Sequence, residues 1–404
     1  MLLKILYLLF IFLCFSYSDL RVGGVALRTP ILLSILFVIV VEGKFFVDKV
    51  WRIYVLFIIV FGVSCIAHGY FDEFSNVLFM HYFISFVGWL ATAVVLKKDP
   101  SFVKYLVYVI LAIGGLDVLV TYSQFTFNSD WYSPIRDFFH FSNIDEFNIK
   151  SDISSDSGDV MNLTLIGMFP NGVYNGYFLS LCSILSMFLF LKTRKLVAYL
   201  FPCFYLFGSF CCQQRGPFFI SVFVIFLLSL SIFSKLRTVE KIMIIIGIGL
   251  FVTLGVSLMN YSESMDLRYS AKDWEDDSRL SIYTLTLNYI QSKPFTANFY
   301  ELVEVHGKAP HNLFLNAAVY GGFVSFFIIM WILFFQAKHV WKIIRNRFDE
   351  KKLFYYVFSY AWIAFTLNSM VHNRSIVTGD FMIWVIWGVL TVVLSRNNKQ
   401  LRSI

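Results

Sequence analysis

The chain has 404 residues, of which 58% are hydrophobic and only 15% are charged, with a mean hydropathy of +0.71 and a formal net charge of +7. Soluble domains carry about 25% charged residues, so this composition excludes an ordinary soluble protein and predicts a polytopic membrane protein. Nothing in the sequence predicts a nucleic-acid partner.

The apolar residues form continuous runs instead of the alternating pattern of an outer-membrane barrel, which predicts an all-α integral membrane protein. A helix needs about 20 mainly apolar residues to cross a bilayer core. About twelve runs meet this requirement and predict one polytopic membrane domain over residues 1–404: Leu2 to Tyr17, Val25 to Val41, Val50 to Ala67, Phe74 to Leu96, Phe102 to Tyr122, Leu163 to Leu191, Leu196 to Phe210, Pro217 to Phe233, Val239 to Met259, His311 to Gln336, Leu353 to Met370 and Ile376 to Leu394.

The distribution of charge predicts which side each connection faces, because Lys and Arg favour short cytoplasmic loops. With the amino terminus inside, the inner segments hold 22 of the 33 basic residues and the outer segments hold 19 of the 26 acidic ones. Both termini are therefore predicted to be cytoplasmic. Arg21 and Arg28, assigned to the outside, run against this pattern.

Two long loops are predicted on the outer side, at residues 123–162 and 260–310. Long loops on one face often carry function, although the first, which is acidic and rich in Ser, is equally well explained as a solvent cover. The second loop is large and lies between the ninth and tenth predicted spans. The chemistry is accordingly expected on the side away from the cytoplasm.

Arg215 follows Gln213 and Gln214 at the outer end of a predicted span, and Pro217 is predicted to begin the next one. A membrane-interface anchor is one reading of this arginine. Basic residues concentrate on the other face, however, and Gly216 leaves room for an anion to approach the backbone. We therefore favour a functional role for Arg215.

Arg279 opens a segment whose apolar residues recur at helical spacing, so it is predicted at the amino end of a helix that lies along the outer surface, with Ser278 as a cap. An ion pair with Asp276 or Asp277 is one explanation. A helix amino terminus also favours phosphate, and two arginines on one face suit a diphosphate.

Pro310 fits the first turn of a helix, which places His311 and Asn312 at the helix mouth, facing water. A lone His is usually structural, but a neutral imidazole near pH 7 can accept a proton from a sugar hydroxyl. Asn312 is predicted to orient this imidazole or to bind sugar.

Weaker signals lie elsewhere. The turn at Asn171, with Asn175 after it, lies at the start of the sixth predicted span. Asp117 lies in the middle of a predicted helix, where it is either a proton-relay group or a hydrogen-bonded structural residue. The acidic cluster at 273–277 resembles metal motifs but is more often a solvated loop. No Walker loop or dinucleotide fingerprint appears, so a sugar donor is expected to be lipid-linked.

Arg215 in QQRGPFF, Arg279, Ser292-Lys293-Pro294, His311-Asn312 and Gly321-Gly322 together resemble the bacterial O-antigen polymerase and O-antigen ligase superfamily. The resemblance covers roughly residues 169–394. It implies a GT-C-like membrane glycosyltransferase of lipopolysaccharide biosynthesis that needs no metal or cofactor. The resemblance also implies a multi-pass protein of the bacterial inner membrane, with both long loops and the active site on the periplasmic side. Its implied catalytic residues are His311, Arg215 and Arg279, and its implied substrate-binding residues are Asn312, Asn171, Asn175 and Gln214.

The superfamily carries two activities on these residues. A polymerase transfers a growing glycan from undecaprenyl diphosphate to a lipid-linked repeat unit, whereas a ligase transfers it to lipid A-core. Two long outer loops favour the polymerase. A flippase or other transporter of lipid-linked glycans is an alternative of another class, which predicts charges spread through the helices and internal symmetry. The implied partners are the undecaprenyl-diphosphate-linked glycan, membrane lipids, a chain-length regulator protein and a flippase.

Overall fold

A computed structural model describes residues 1–16, 21–22, 25–70, 73–127, 130–135, 165–169, 172–193, 195–233, 237–242, 245–247, 249, 253, 279–306, 310–345, 353–372 and 374–401. These ranges are overwhelmingly helical, as predicted. The exception is a short antiparallel ladder, in which Arg21–Val22 (β1) pairs with Val25–Ala26 (β2).

The longer elements are α-helices, which we number in chain order. They are α1 (Leu2–Phe15), α2 (Arg28–Val41), α3 (Lys49–Ala67), α4 (Glu73–Lys98), α5 (Val103–Phe127), α6 (Gly172–Thr193), α7 (Leu200–Cys211), α8 (Arg215–Ile232), α9 (Arg279–Ser292), α10 (Phe299–His306), α11 (Leu313–Val319), α12 (Gly322–Arg345), α13 (Leu353–Ser369) and α14 (Phe381–Leu401). Short 3₁₀ turns occupy Pro100–Phe102 and Leu196–Tyr199.

Within the described ranges, six helices are long and apolar enough to cross a membrane: Lys49–Ala67, Leu78–Lys98, Pro100–Phe127, Gly172–Thr193, Arg215–Ile232 and Gly322–Arg345. Shorter apolar helices occupy Leu2–Phe15, Arg28–Val41, Val197–Cys211 and Phe381–Val392. The chain is thus a multi-pass helical membrane protein. The predicted total of about twelve spans stays a prediction, and most of the ninth, Val239 to Met259, lies outside the described residues.

Several predicted boundaries were wrong. The helix predicted from His311 to Gln336 is two helices, α11 and α12, because Gly321 and Gly322 adopt φ values of +143° and +69° that end the first helix. Helix α6 begins at Gly172 instead of Leu163, after a turn at residues 165–169. Helix α5 continues to Phe127, into the predicted first loop.

The chain forms two compact units, each assembled from three separate stretches of sequence. The first unit comprises Met1–Leu33, Phe102–Asp276 and Phe348–Ala364, and the second comprises Ser34–Ser101, Asp277–Arg347 and Phe365–Ile404. The prediction of one polytopic domain stays a prediction.

Helix α6 is the central element of the first unit and packs against α5, α7 and α8. Its sequence explains this position, because the buried Ser180, Ser183 and Ser186 are small enough for neighbouring helices to approach closely. The Ser221 hydroxyl of α8 donates a hydrogen bond to the Ser180 hydroxyl at 2.6 Å. The first unit is therefore built around α6, a buried helix whose small serine side chains allow close packing.

In the second unit, α4 packs against α14 and α3 packs against α12. The core is aromatic: the ring centroids of Trp51 and Trp384 are 4.2 Å apart, and those of Tyr54 and Trp384 are 4.6 Å apart. Hydroxyl groups of α3 and α4 also fix the segment that precedes α14. They donate to its carbonyl oxygens, Tyr54 to Ile376 at 2.6 Å, Tyr82 to Val377 at 2.9 Å and Ser85 to Gly379 at 2.7 Å.

Candidate functional site

The predicted site residues divide between the two units. Gln214, Arg215 and Asn175 lie in the first unit, whereas Arg279, His311 and Asn312 lie in the second. Asn171 lies outside the described residues, as do Ser278 and the acidic cluster at 273–277.

Arg215 is the first residue of α8, two residues earlier than the start predicted at Pro217. Gln213 turns the chain with a φ of +61°, and Gln214 is extended at the cap position. Both glutamines are buried while Arg215 is half-buried. The first N–H groups of a helix lack partners within it, and Pro217 costs nothing there because it has no N–H. The guanidinium therefore belongs to a helix end whose dipole favours an anion.

Asn175 is fully buried on α6, where its amide nitrogen donates to the Thr121 hydroxyl and to the Leu165 carbonyl oxygen, both at 3.0 Å. These two bonds use both hydrogens of the amide group. The geometry thus assigns Asn175 a structural role, and substrate binding by this residue stays a prediction.

The same polar cluster holds the segment 165–169. The Asp117 carboxylate accepts from the Met168 N–H at 2.8 Å, and the Gln124 side chain accepts from the Gly167 N–H at 2.9 Å and donates to its carbonyl oxygen at 3.3 Å. Of the two roles predicted for Asp117, the hydrogen-bonded structural one describes this contact. Gly167 has a φ of +59°, and a Cβ there would lie 2.6 Å from the Asn175 amide nitrogen.

The segment 165–169 also reaches the turn before Arg215. The Leu165 N–H donates to the Cys212 carbonyl oxygen at 3.1 Å, and the Cys212 thiol donates back to the Leu165 carbonyl oxygen at 3.3 Å. The polar cluster on α5 and α6 therefore supports the backbone that presents Arg215.

In the second unit, Asn312 caps α11. Its side-chain oxygen accepts from the backbone N–H groups of Phe314 at 2.9 Å and Leu315 at 3.2 Å, and its amide nitrogen donates to the Met370 carbonyl oxygen at 3.1 Å. The prediction that Pro310 lies in the first helical turn was wrong, because Asn312 is a strong cap and the helix starts after it. These contacts hold Asn312 in place, and sugar binding by its amide stays a prediction.

His311 is partly exposed beside this cap, and its carbonyl oxygen accepts a hydrogen bond from the Tyr283 hydroxyl at 3.2 Å. Tyr283 lies one turn after Arg279, which is the first residue of α9, as predicted. Residues four apart share one face of a helix, so the position of Arg279 shares the face of Tyr283. The structure thus brings the start of α9 and His311 into one neighbourhood, while the side chain of Arg279 lies outside the described part.

The Ser-Lys-Pro turn docks on the Gly-Gly break. The Phe323 N–H donates to the Pro294 carbonyl oxygen at 2.8 Å, and a Cβ on Gly322 would lie 2.7 Å from the Phe295 Cα. Only glycine accommodates both this approach and a φ of +69°. Two widely spaced sequence motifs therefore meet and connect the end of α9 to the start of α12.

Sequence reasoning missed a polar cluster around Glu301. The Glu301 carboxylate accepts from the Tyr289 hydroxyl at 2.7 Å, pairs with the Lys293 ammonium, and lies 3.6 Å from the His68 imidazole nitrogen Nε2. Burial alone would raise the pKa of Glu301, but hydrogen bonds from Lys293 and Tyr289 lower it below its ordinary value. The spacing Asn298-x-x-Glu301, a helix-start signature, was the available signal.

A second missed feature is the pair of Arg374 and Asp380, in the segment that begins at Met370. The Arg374 guanidinium donates to the Asp380 carboxylate at 3.1 Å, and Asp380 caps α14 by accepting from the Met382 N–H at 2.9 Å. Opposite charges six positions apart between apolar stretches were the signal in the sequence.

Comparison with known proteins adds no assignment: no family model matches the chain, and no curated protein does. In the part of the chain that the structure describes, no group of three or more His, Cys, Asp or Glu side chains is arranged to hold a metal ion.

Proposed function

We propose that this protein is a membrane glycosyltransferase that transfers a growing surface glycan from undecaprenyl diphosphate to a lipid-linked repeat unit. The observation that carries the proposal is that Arg215 and Arg279 are each the first residue of a helix. Helix amino termini combine unbonded N–H groups with a favourable dipole, so an arginine there suits a phosphate group.

The proposed roles follow from the chemistry of the reaction. Arg215 and Arg279 supply positive charge to the diphosphate, which makes it a better leaving group. His311 accepts the proton of the acceptor hydroxyl as the hydroxyl oxygen attacks the anomeric carbon and the bond from that carbon to the diphosphate oxygen breaks. One base and a good leaving group suffice for direct displacement with inversion, so the proposed reaction needs neither a metal nor a covalent enzyme intermediate.

The surroundings of His311 support this assignment. Its backbone is fixed from two sides, by the Tyr283 hydroxyl on its own carbonyl oxygen and by the neighbouring Asn312 bonded to Met370. A general base must be held within hydrogen-bond reach of the proton it removes, so a rigid backbone at this position favours catalysis.

Disrupting the gene and separating surface polysaccharide on a gel tests the proposal. Loss of polymerisation leaves core carrying a single repeat, which is the expected result. Bare core would instead identify the activity as ligation to lipid A-core. Unchanged polysaccharide would contradict both activities.

A further inference from the structure

A half-open apolar groove of about 380 Å³ lies between α1 and α5 in the first unit. Almost all of its wall is hydrocarbon. The residues that line it include Phe12, Val109, Ala112, Leu116, Tyr132 and Met168.

The groove has the features of a site for a lipid chain. Phe12 and Leu116 are 44% and 39% exposed although both lie in strongly apolar helices, so they face the bilayer. Tyr132 and the 48% exposed Trp131 stand together beside the groove. Trp and Tyr collect at the membrane–water interface, which indicates that the groove runs from headgroup level into the hydrocarbon core.

One short segment links the groove to the turn that precedes Arg215. Met168 lines the groove, and its N–H is held by Asp117. Leu165, three residues earlier, is bonded in both directions to Cys212, which lies three residues before Arg215. The segment 165–169 therefore contacts both the groove and the turn that precedes Arg215.

We propose that this groove binds the isoprenoid chain of the lipid-linked donor, whose diphosphate Arg215 contacts. The assignment rests on the proposed function for the identity of the donor. Its support is complementarity, because a long hydrocarbon chain with a strongly anionic head matches an apolar groove whose wall is hydrogen-bonded to the turn before an arginine. The groove could also fit an acyl chain of bulk phospholipid, and the experiment below distinguishes the two occupants.

Photolabelling of the full chain in phosphatidylcholine nanodiscs tests the proposal. The probe is a polyprenyl diphosphate with a diazirine in its chain, and labelled peptides are identified by mass spectrometry. Ala112→Trp fills the groove from α5, and Val109→Phe does so with a smaller change. Leu119→Trp is the matched control, because Leu119 is 54% exposed on the same helix outside the groove.

We expect labelling within α1 and α5, at least about tenfold weaker in both groove variants, because losing the burial of only two methylene groups costs that much affinity. The control should label like the wild type, and unlabelled polyprenyl diphosphate should compete while phosphatidylglycerol does not. Equal labelling of two monodisperse groove variants, or equal competition by phosphatidylglycerol, would overturn the proposal. Labelling needs no turnover, so the two proposals can fail separately. Specific labelling of a protein that transfers no glycan would refute only the proposed function. Glycan transfer by a protein whose labelling is unchanged by the groove substitutions would refute only the assignment of the groove.

Discussion

At the scale of single residues, two arginines stand at the first position of their helices, Arg215 in α8 and Arg279 in α9. A guanidinium adds a planar fork of donors to the N–H groups of the helix end, which is the geometry that phosphate oxygens accept. The sequence predicted the helix start at Arg279 from apolar spacing. It placed the start of α8 two residues late, because Pro217 is an equally good residue within the first turn.

Replacing either arginine by Ala should reduce glycan transfer about 30-fold to 1000-fold, because a charge-assisted phosphate contact contributes roughly 2 to 4 kcal/mol. Lys should restore little, since an ammonium lacks the planar fork. Arg345→Ala, an exposed arginine at the end of α12, serves as the control. Transfer by purified variants near the wild-type rate would eliminate the diphosphate contact.

Gly167→Ala tests the polar cluster beneath the segment 165–169. The new methyl group would crowd Asp117, Thr121 and Asn175 at a φ of +59°, so we expect a loss of stability of about 1 to 3 kcal/mol. Gly249→Ala is the control, because no atom lies within 4 Å of its added Cβ. Thermal unfolding in detergent measures the difference, and equal midpoints for the two variants would refute the role assigned to Gly167.

At the level of secondary-structure elements, the turn after α9 packs directly against the break between α11 and α12. The sequence contained both motifs, Ser-Lys-Pro and Gly-Gly, but Pro294 and Gly322 are 28 positions apart and no local pattern encodes their contact. The apolar run from His311 to Gln336 also hid the break, because periodicity cannot register two glycines with positive φ. The fold class was predictable from local hydropathy, whereas this site geometry required the tertiary structure.

Gly322→Ala should separate the turn from α12 and lower both stability and transfer. Its Cβ would meet the backbone of Pro294 and Phe295, which cannot move aside as a flexible side chain can. Gly43→Ala isolates the backbone strain, because Gly43 has a φ of +62° in open space. A Cβ at a left-handed φ costs about 1 to 2 kcal/mol by itself. We therefore expect Gly322→Ala to be less stable than Gly43→Ala. Equal stability of the two variants would contradict the role of Gly322 in the contact with Pro294 and Phe295.

At the scale of the whole molecule, the composition sufficed to predict a helical multi-pass protein, and the described ranges confirm it. The division into two units could not be read from the sequence, because each unit collects segments that are distant along the chain. The side of the membrane that each connecting segment faces is inferred from the distribution of Lys and Arg. Arg215 and Arg279 lie in predicted outer segments, and His311 opens the predicted span that follows the second long loop.

Cysteine labelling with a membrane-impermeant reagent tests this topology. Single cysteines at 123–162 and 260–310 should react from the periplasm, and those at 338–352 should react only after the membrane is opened. The physical reason is the retention of Lys and Arg on the cytoplasmic side during insertion. Reaction of either long loop from the cytoplasm would invalidate the assignment of the site to the outer face.

His311 is proposed to remove the proton from the acceptor hydroxyl. The most direct measurement compares donor affinity with turnover for the wild type and His311→Ala, purified in lipid with a defined lipid-linked substrate and EDTA present. We predict that turnover falls about 100-fold to 10,000-fold while donor affinity changes little, because donor binding is proposed to depend on Arg215 and Arg279. Full turnover by the variant, or a loss of donor affinity equal to the loss of rate, would contradict the claim; loss of wild-type activity in EDTA would instead assign the chemistry to a metal.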